Sequence, residues 1–394
     1  MNDLHIAIDN KQFVYLVMLD LSAAFDTVNH EVLLERLHHD FGMQDGVLAW
    51  LKSYFSDRVQ AVSIDGCTSE PQPLQTGMPQ GSVLGPFSFP QYTAPLFDIV
   101  QRHGCEIHMY ADDTQVYLSF SRNNSQISLE KLENCISELR QWMKDNFLKL
   151  NDLKTEFLVL NSRRMKPVDE KSIVIGEESV CAVQSARNIG AVIDKNLTME
   201  AQVSNVCRNC YLGLRQISQI RSYLTKDATA TLVHAFITSK LDCYNSLLIG
   251  IPDTLKRRLQ LIQNNAARLI TKNKRSDDIT PVLKKLHWLP VSFRIEYKVL
   301  CLCYQSLNDL APSYMSAMLS YRDAPSSRCT LRNDELQLLK EPTARLKTHG
   351  DRAFSVYAPK LWNTLPLNLR QCSSVDCFKD NLKTCLFKKA YDHC

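Results

Sequence analysis

The run Phe13 to Leu21 (FVYLVMLDL) is almost unbroken in apolar, β-favouring side chains, which predicts a strand buried on both faces. One carboxylate, Asp20, stands near its end, an unusual place for a charge. A helix is expected from about Thr27 to Leu37, with Asp26 as N-cap and Val28, Val32 or Leu33, and Leu37 along one face. Residues 47–56 suggest a second short helix, and Asp65-Gly66 supplies a hairpin turn within VQAVSIDGCTSEPQPL. Ile107, Met109 and Ala111, then Val116, Leu118 and Phe120, alternate as a hairpin over 106–120 with Asp112 and Asp113 in its turn. Leu129, Leu132, Ile136, Leu139 and Trp142 or Met143 mark one stripe of a helix over 128–146, and a strand follows from Thr155 to Leu160.

Residues 1–160 therefore read as α+β, a sheet with helices on one face. From about Thr198 the rhythm is wholly helical. Met199, Val203, Val206, Cys210, Leu214, Ile217 and Leu224 define one long amphipathic helix, and a second runs from Asp227 to Leu241. A third begins near Pro252, with Leu255, Leu259, Ile262, Ala266 and Leu269 inward and Lys256, Arg257, Arg258 and Arg268 largely outward. Further helices are expected at 291–307 and 374–391, separated by a polar loop near 320–350.

Charge sharpens this division. Residues 1–194 hold 16 Lys and Arg against 26 Asp and Glu, residues 195–275 hold 13 against 4, and residues 276–394 hold 17 against 12. An acidic segment can hold divalent cations, and a basic, carboxylate-poor one suits a polyanion, although a solvated helix face explains the same charge equally well. No apolar run reaches the roughly 18 residues a membrane span needs. The start, MNDLHIAIDNK, does not read as a secretion signal, so an intracellular protein, nuclear or cytoplasmic and free of membrane, is expected. The 14 cysteines are scattered and read as reduced, mostly buried thiols; Cys207 and Cys210 lack a second ligand pair and fall on an apolar helical stripe.

The acids carry the candidate chemistry. If the 106–120 hairpin lies beside the strand ending at Asp20, three carboxylates meet at one sheet edge and repel unless cations sit among them. Two divalent ions would satisfy such a group, the arrangement used for in-line phosphoryl transfer. Each piece has an ordinary reading too: adjacent aspartates form turns, and Asp20 alone could cap a helix.

Five blocks in order, LDLSAAFDTVNH (19–30), GMPQGSVLGP (77–86), YADD (110–113), LKLNDLKTE (148–156) and RNIGAVID (187–194), resemble those of reverse transcriptases of LINE (non-LTR) retrotransposons, in the chicken-repeat and jockey-like groups. The resemblance continues through HWLPVSFRIEYKVL (287–300) and APKLWNTLPLNLR (358–370) and so covers nearly the whole chain. It implies RNA-directed DNA synthesis from deoxynucleoside triphosphates on an RNA template with a DNA primer. A polymerase palm is implied over 1–194, a helical thumb over 195–275 and a mainly helical C-terminal region over 276–394.

Residue by residue, the resemblance makes Asp20, Asp112 and Asp113, with the Leu21 carbonyl, ligands of two magnesium or manganese ions. Phe25 is implied as a steric gate against the ribose 2′-hydroxyl, although the residue by itself reads as a core aromatic. Pro79, Gln80 and Gly81 are implied beneath the incoming base, and Tyr110 of YADD at the nucleotide site. Lys154 is implied as general acid towards pyrophosphate, while by itself it reads as a surface lysine. Lys256, Arg257, Arg258 and Arg268 are implied to grip the RNA–DNA duplex through its phosphates. A gate at Phe25 argues against a viral RNA-copying enzyme.

Three departures accompany the match. The chain opens shortly before Asp20, so fingers and endonuclease are expected to be missing and polymerisation by the isolated chain to be weak. Ser88, Pro90 and Gln91 stand where the family carries apolar helix residues, and an interior proline costs about 3 kcal/mol. Asn29 replaces a customary acid. The competing expectation is a non-catalytic, nucleic-acid-binding remnant that uses the basic helices alone.

Overall fold

A computed structural model describes residues 1–79, 81–169, 172–322 and 337–391. The chain forms two compact units, one of residues 12–190 and one of residues 1–11 with 191–394.

The first unit is α+β. Four antiparallel strands form its sheet in the order Glu156–Leu160, Phe13–Leu19, Asp113–Phe120, Glu106–Tyr110. Every residue of Phe13–Leu19 is buried, as its unbroken apolar run predicts for a central strand. Phe13, Tyr15, Val17 and Leu19 share a core with Leu132, Ile136 and Leu139 of the Ser125–Asp145 helix and with Leu96 and Val100 of the Pro95–Arg102 helix. Each such aliphatic side chain removed from water contributes roughly 1.5–3 kcal/mol. Asp65 and Gly66 both take left-handed φ between the short paired strands Ser63–Ile64 and Cys67–Thr68, the backbone a two-residue hairpin turn requires.

The helix expected from Thr27 instead spans His30–His39, and its cap is Asn29, whose side chain accepts from Val32 N at 3.0 Å. Asp26 lies three residues before that cap, and its backbone meets the next loop: Thr76 Oγ1 donates to its carbonyl at 3.3 Å. Pro90 lies inside the helix Gly85–Thr93, which forms nonetheless. Phe89 is fully buried there, while Ser88 Oγ and Gln91 Oε1 are buried without a partner. Such groups cost about 1–3 kcal/mol each, so the two polar departures weaken this helix as the proline does.

The second unit is helical. Glu200–Ile220, Lys226–Val233 continuing through a π-turn at His234–Thr238, Asp253–Thr271, Val291–Leu307, Phe354–Trp362 and Val375–Tyr391 surround a single core. Cys207 and Cys210 lie in it, as their apolar stripe predicts. Residues before and after position 275 share that core, so no boundary between compact units falls there, and the units part at 190/191 rather than after Asp194. The helix Asn2–Asp9 belongs to this unit as well. Asp9 accepts from the backbone of Arg345 at 2.9 Å and Leu346 at 2.7 Å, and a Cβ on Gly350 would come within 2.5 Å of the Asp9 carboxyl carbon. Residues 323–336 of the expected polar loop lie outside the described residues. Among the described residues no helix is long and apolar enough to cross a membrane.

Candidate active site

Leu19, the last residue of the central strand, pairs with Thr114, after Val17 with Val116 and Met18 with Gln115. Antiparallel register runs one step further to set Asp20 beside Asp113 at the same end of the sheet. Across the hairpin Tyr110 pairs with Asp113, which leaves Ala111 and Asp112 as the turn. Asp113 therefore opens the second strand rather than sharing the turn, because its partner is still in the ladder. Ala111 takes φ +53°, the left-handed conformation a tight hairpin needs at its first turn position, at a cost of roughly 1–2 kcal/mol for a residue with a Cβ.

The three carboxylates share an electric field. The Asp113 carboxyl is pushed above the usual carboxylate range, first by burial and then by Asp112 and Asp20. Asp20 is held from a third segment. Leu21 pairs with Leu150, and Asn151 N donates to the Asp20 carbonyl at 2.8 Å. Asn151 Nδ2 donates to Asp20 Oδ2 at 3.3 Å, and Lys154 Nζ lies 3.2 Å from the same oxygen. The 148–156 block thus closes over the end of the strand. Sequence reasoning missed Asn151; its position inside one of the five blocks was the only signal.

Mutually repelling oxygen donors at a sheet end are the chemistry that a hard divalent cation relieves, so the donor set fits one. Among the described residues, no three His, Cys, Asp or Glu side chains converge as a formed metal cage. The acids are adjacent but not closed around a common point, and the ammonium of Lys154 is the cation Asp20 meets.

Phe25 packs on Phe89 with ring centroids 4.9 Å apart, so it is both a partly buried aromatic and a wall of this end of the unit. The loop beneath is tied to the same segment: Met78 N donates to the Phe25 carbonyl and Gly77 N to that of Val28, each at 2.8 Å. Gly77 is obligatory, with φ +86° and an added Cβ only 2.7 Å from the Asp26 carbonyl oxygen. Pro79 and Gly81 follow it as exposed loop residues, and Gln80 lies outside the described residues. Tyr110 is exposed at 65%.

The basic residues of Asp253–Thr271 do not form the free row that periodicity suggests. Lys256 pairs with Asp253 at 3.1 Å, Arg258 donates to Ser204 Oγ at 3.1 Å, and Arg268 donates to the carbonyls of Lys274 and Asp277. Of these four only Arg257 is exposed.

A sheet end carrying clustered acids, a glycine-stitched loop and a backing lysine agrees with what known families match. Residues 1–195 match the family model of reverse transcriptases (RNA-dependent DNA polymerases). The chain is 29% identical over 281 residues to the probable RNA-directed DNA polymerase from transposon BS of Drosophila melanogaster, covering 67% of this chain and 30% of that protein. It is 26% identical over 206 residues to the RNA-directed DNA polymerase from mobile element jockey of the same fly, covering 51% and 22%. Apo telomerase from Candida tropicalis is similar at TM-score 0.40 and 12% identity, over 80% of this chain and 55% of that one, a likeness too loose to carry detail. Residues 1–195 belong to the reverse transcriptase family, in its LINE (non-LTR retrotransposon) branch. The matches span less than a third of the length of these curated relatives.

Proposed function

We propose that the chain is part of an RNA-directed DNA polymerase of a LINE-type retroelement, with its palm in residues 12–190 and its thumb in the helices of 195–275. The observation that carries this reading is the ladder register that sets Asp20 beside Asp113, one residue from the Ala111-Asp112 turn.

Asp20, Asp112 and Asp113, with the Leu21 carbonyl, would hold two magnesium or manganese ions. Such ions lower the pKa of an attacking primer 3′-hydroxyl and neutralise charge on departing pyrophosphate. The protein's own residues do the rest. Asn151 orients the Asp20 carboxylate. Lys154, next to that carboxylate, is placed to give a proton to the leaving pyrophosphate. Phe25, braced by Phe89, fills the space that a 2′-hydroxyl would need. Met78 and Pro79 run beneath it as the floor for base and template, together with Gln80 and Gly81. Tyr110, exposed before the turn, offers a ring at the nucleotide site. Arg257, with Lys256, Arg258 and Arg268 behind it, supplies phosphate contacts to the RNA–DNA hybrid.

Extension of a DNA primer on an RNA template, in magnesium with deoxynucleoside triphosphates, tests this. Weak template-dependent extension by the wild-type chain, lost in Asp112→Asn and Asp113→Asn proteins that remain folded, is the expected result. Extension unchanged by either substitution overturns it.

A further inference from the structure

The helical unit contains a cavity of about 540 Å³ that no part of the polymerase reading uses. Its walls come from the π-turn (His234), the segment after it (Asp242, Asn245), residues 286–289, the Val291–Leu307 helix (Arg294, Tyr297, Lys298) and Lys383 of the last helix. Three properties define what it can hold.

The first is an unmet hydrogen-bond acceptor. Asn245 is only 4% exposed, and its Oδ1 has no partner. An orphaned buried carbonyl costs about 1–3 kcal/mol, which a ligand N–H or O–H would recover. An ion that brings acceptors only, such as sulfate, leaves this atom unsatisfied.

The second is uncommitted positive charge. Arg294 is already engaged, donating to Asp242 at 2.6 Å and to the Leu289 carbonyl at 3.1 Å. Lys298 and Lys383 are exposed at the rim and form no ion pair among the described residues. The rim thus exceeds the one acid by two lysines and favours an anionic group there.

The third is the ring content of the walls. His234 and Trp288 meet edge to face with centroids 5.6 Å apart, and His287 and Tyr297 complete the aromatic lining. Flat aromatic walls, a buried acceptor and a cationic mouth complement a ligand with a planar N–H-bearing ring at one end and a phosphate at the other.

We propose that this cavity is a nucleoside-phosphate site, with the base inward against Asn245 and the phosphate outward at Lys298 and Lys383. The same chemistry is offered by a free nucleotide and by one unstacked nucleotide of a single strand. The cavity belongs to the helical unit and shares no residue with the sheet-end acids, so its test reads binding and does not depend on extension.

The full chain is titrated calorimetrically with adenosine monophosphate, ribose 5-phosphate, inorganic phosphate, a uridine hexanucleotide and a hexaglutamate peptide. Adenosine monophosphate is expected to bind at about 1 mM or tighter, and at least about tenfold tighter than ribose 5-phosphate or phosphate. Lys298→Glu with Lys383→Glu, both on exposed side chains, should weaken nucleotide binding about tenfold or more. Asn245→Leu should erase the preference over ribose 5-phosphate without preventing folding, since it replaces an orphaned polar atom with an apolar group. Tighter binding of the hexanucleotide, with the same sensitivity, names a strand as the occupant; tighter binding of the monophosphate names a free nucleotide. No binding of either, binding indifferent to both variants, or preference for the peptide overturns the proposal.

Discussion

Lys154 Nζ stands 3.2 Å from Asp20 Oδ2, and Asn151 Nδ2 donates to the same oxygen at 3.3 Å. Two side chains of one short block therefore hold the carboxylate that ends the central strand. Lys154 is 68% exposed, so the pair contributes little to stability, about 0–1 kcal/mol at most for a surface ion pair. On the proposed function its value is positional. Lys154→Met is expected to leave thermal stability within experimental scatter while slowing extension about 100-fold or more, the usual worth of a positioned general acid. Unfolding scans and single-turnover extension rates on the same preparation check this, and a rate within threefold or so of wild type would remove Lys154 from the chemistry.

Asp113 carries the opposite bargain. Burial, Asp112 and Asp20 all disfavour its ionised form, so the wild-type fold holds a repulsion near neutral pH. Asp113→Asn should abolish extension and at the same time raise the melting temperature, since the neutral amide removes the repulsion. Magnesium should stabilise the wild type and not the variant. A variant that melts lower than wild type would show that Asp113 is a structural acid instead.

Phe25 and Phe89 are in ring contact at 4.9 Å, which fixes the Phe25 ring against a fully buried partner. Phe25→Val keeps an apolar side chain but opens space beside the sugar position. Ribonucleotide incorporation relative to deoxynucleotide should rise about 10- to 200-fold, the range one missing hydrophobic contact supplies. Competition assays with paired nucleotides measure it, and unchanged discrimination would make Phe25 a packing residue only.

Acid should loosen the helical unit through His349 and His5. Both are buried, and burial followed by the Arg352 charge lowers their pKa, that of His349 to about 4. Asp9 and Asp194 act on His349 in the other direction but do not offset this. A histidine kept neutral by the fold binds its proton more readily when unfolded, so stability is complete above the ordinary value near 6.5 and is lost as pH falls towards 4. The loss from His349 alone is of order 3 kcal/mol. Denaturant unfolding followed between pH 7 and pH 4 should show it, and His349→Gln should flatten the dependence; a wild-type curve already flat across that window would contradict the assignment.

Much of this protein is legible in local periodicity. The unbroken run at Phe13–Leu19, the stripe from Leu129 to Met143 and the Asp65-Gly66 pair each specify an element from neighbours in the chain alone, and each element formed. The five blocks likewise announced the family, because their residue types and order are properties of the sequence. Register, capping and burial of charge are not local. That Asp20 falls beside Asp113 depends on which residue of the hairpin faces Leu19, and a one-residue slip would send every side chain to the other face. That Asn29 caps the helix, and Asp26 does not, follows from the helix starting at His30 in the folded chain, three residues later than the sequence suggests. The Asp253–Thr271 helix reads as a cationic face, yet Arg258 and Arg268 are drawn to Ser204 and to the carbonyls of Lys274 and Asp277, so only the packed structure decides which charge is free for a phosphate. Asn2–Asp9 joins the helical unit because the Asp9 carboxylate meets two amides from far downstream, a partnership invisible to any window of sequence. Periodicity reports the face a residue presents; what meets that face is set by chain segments that become neighbours only on folding.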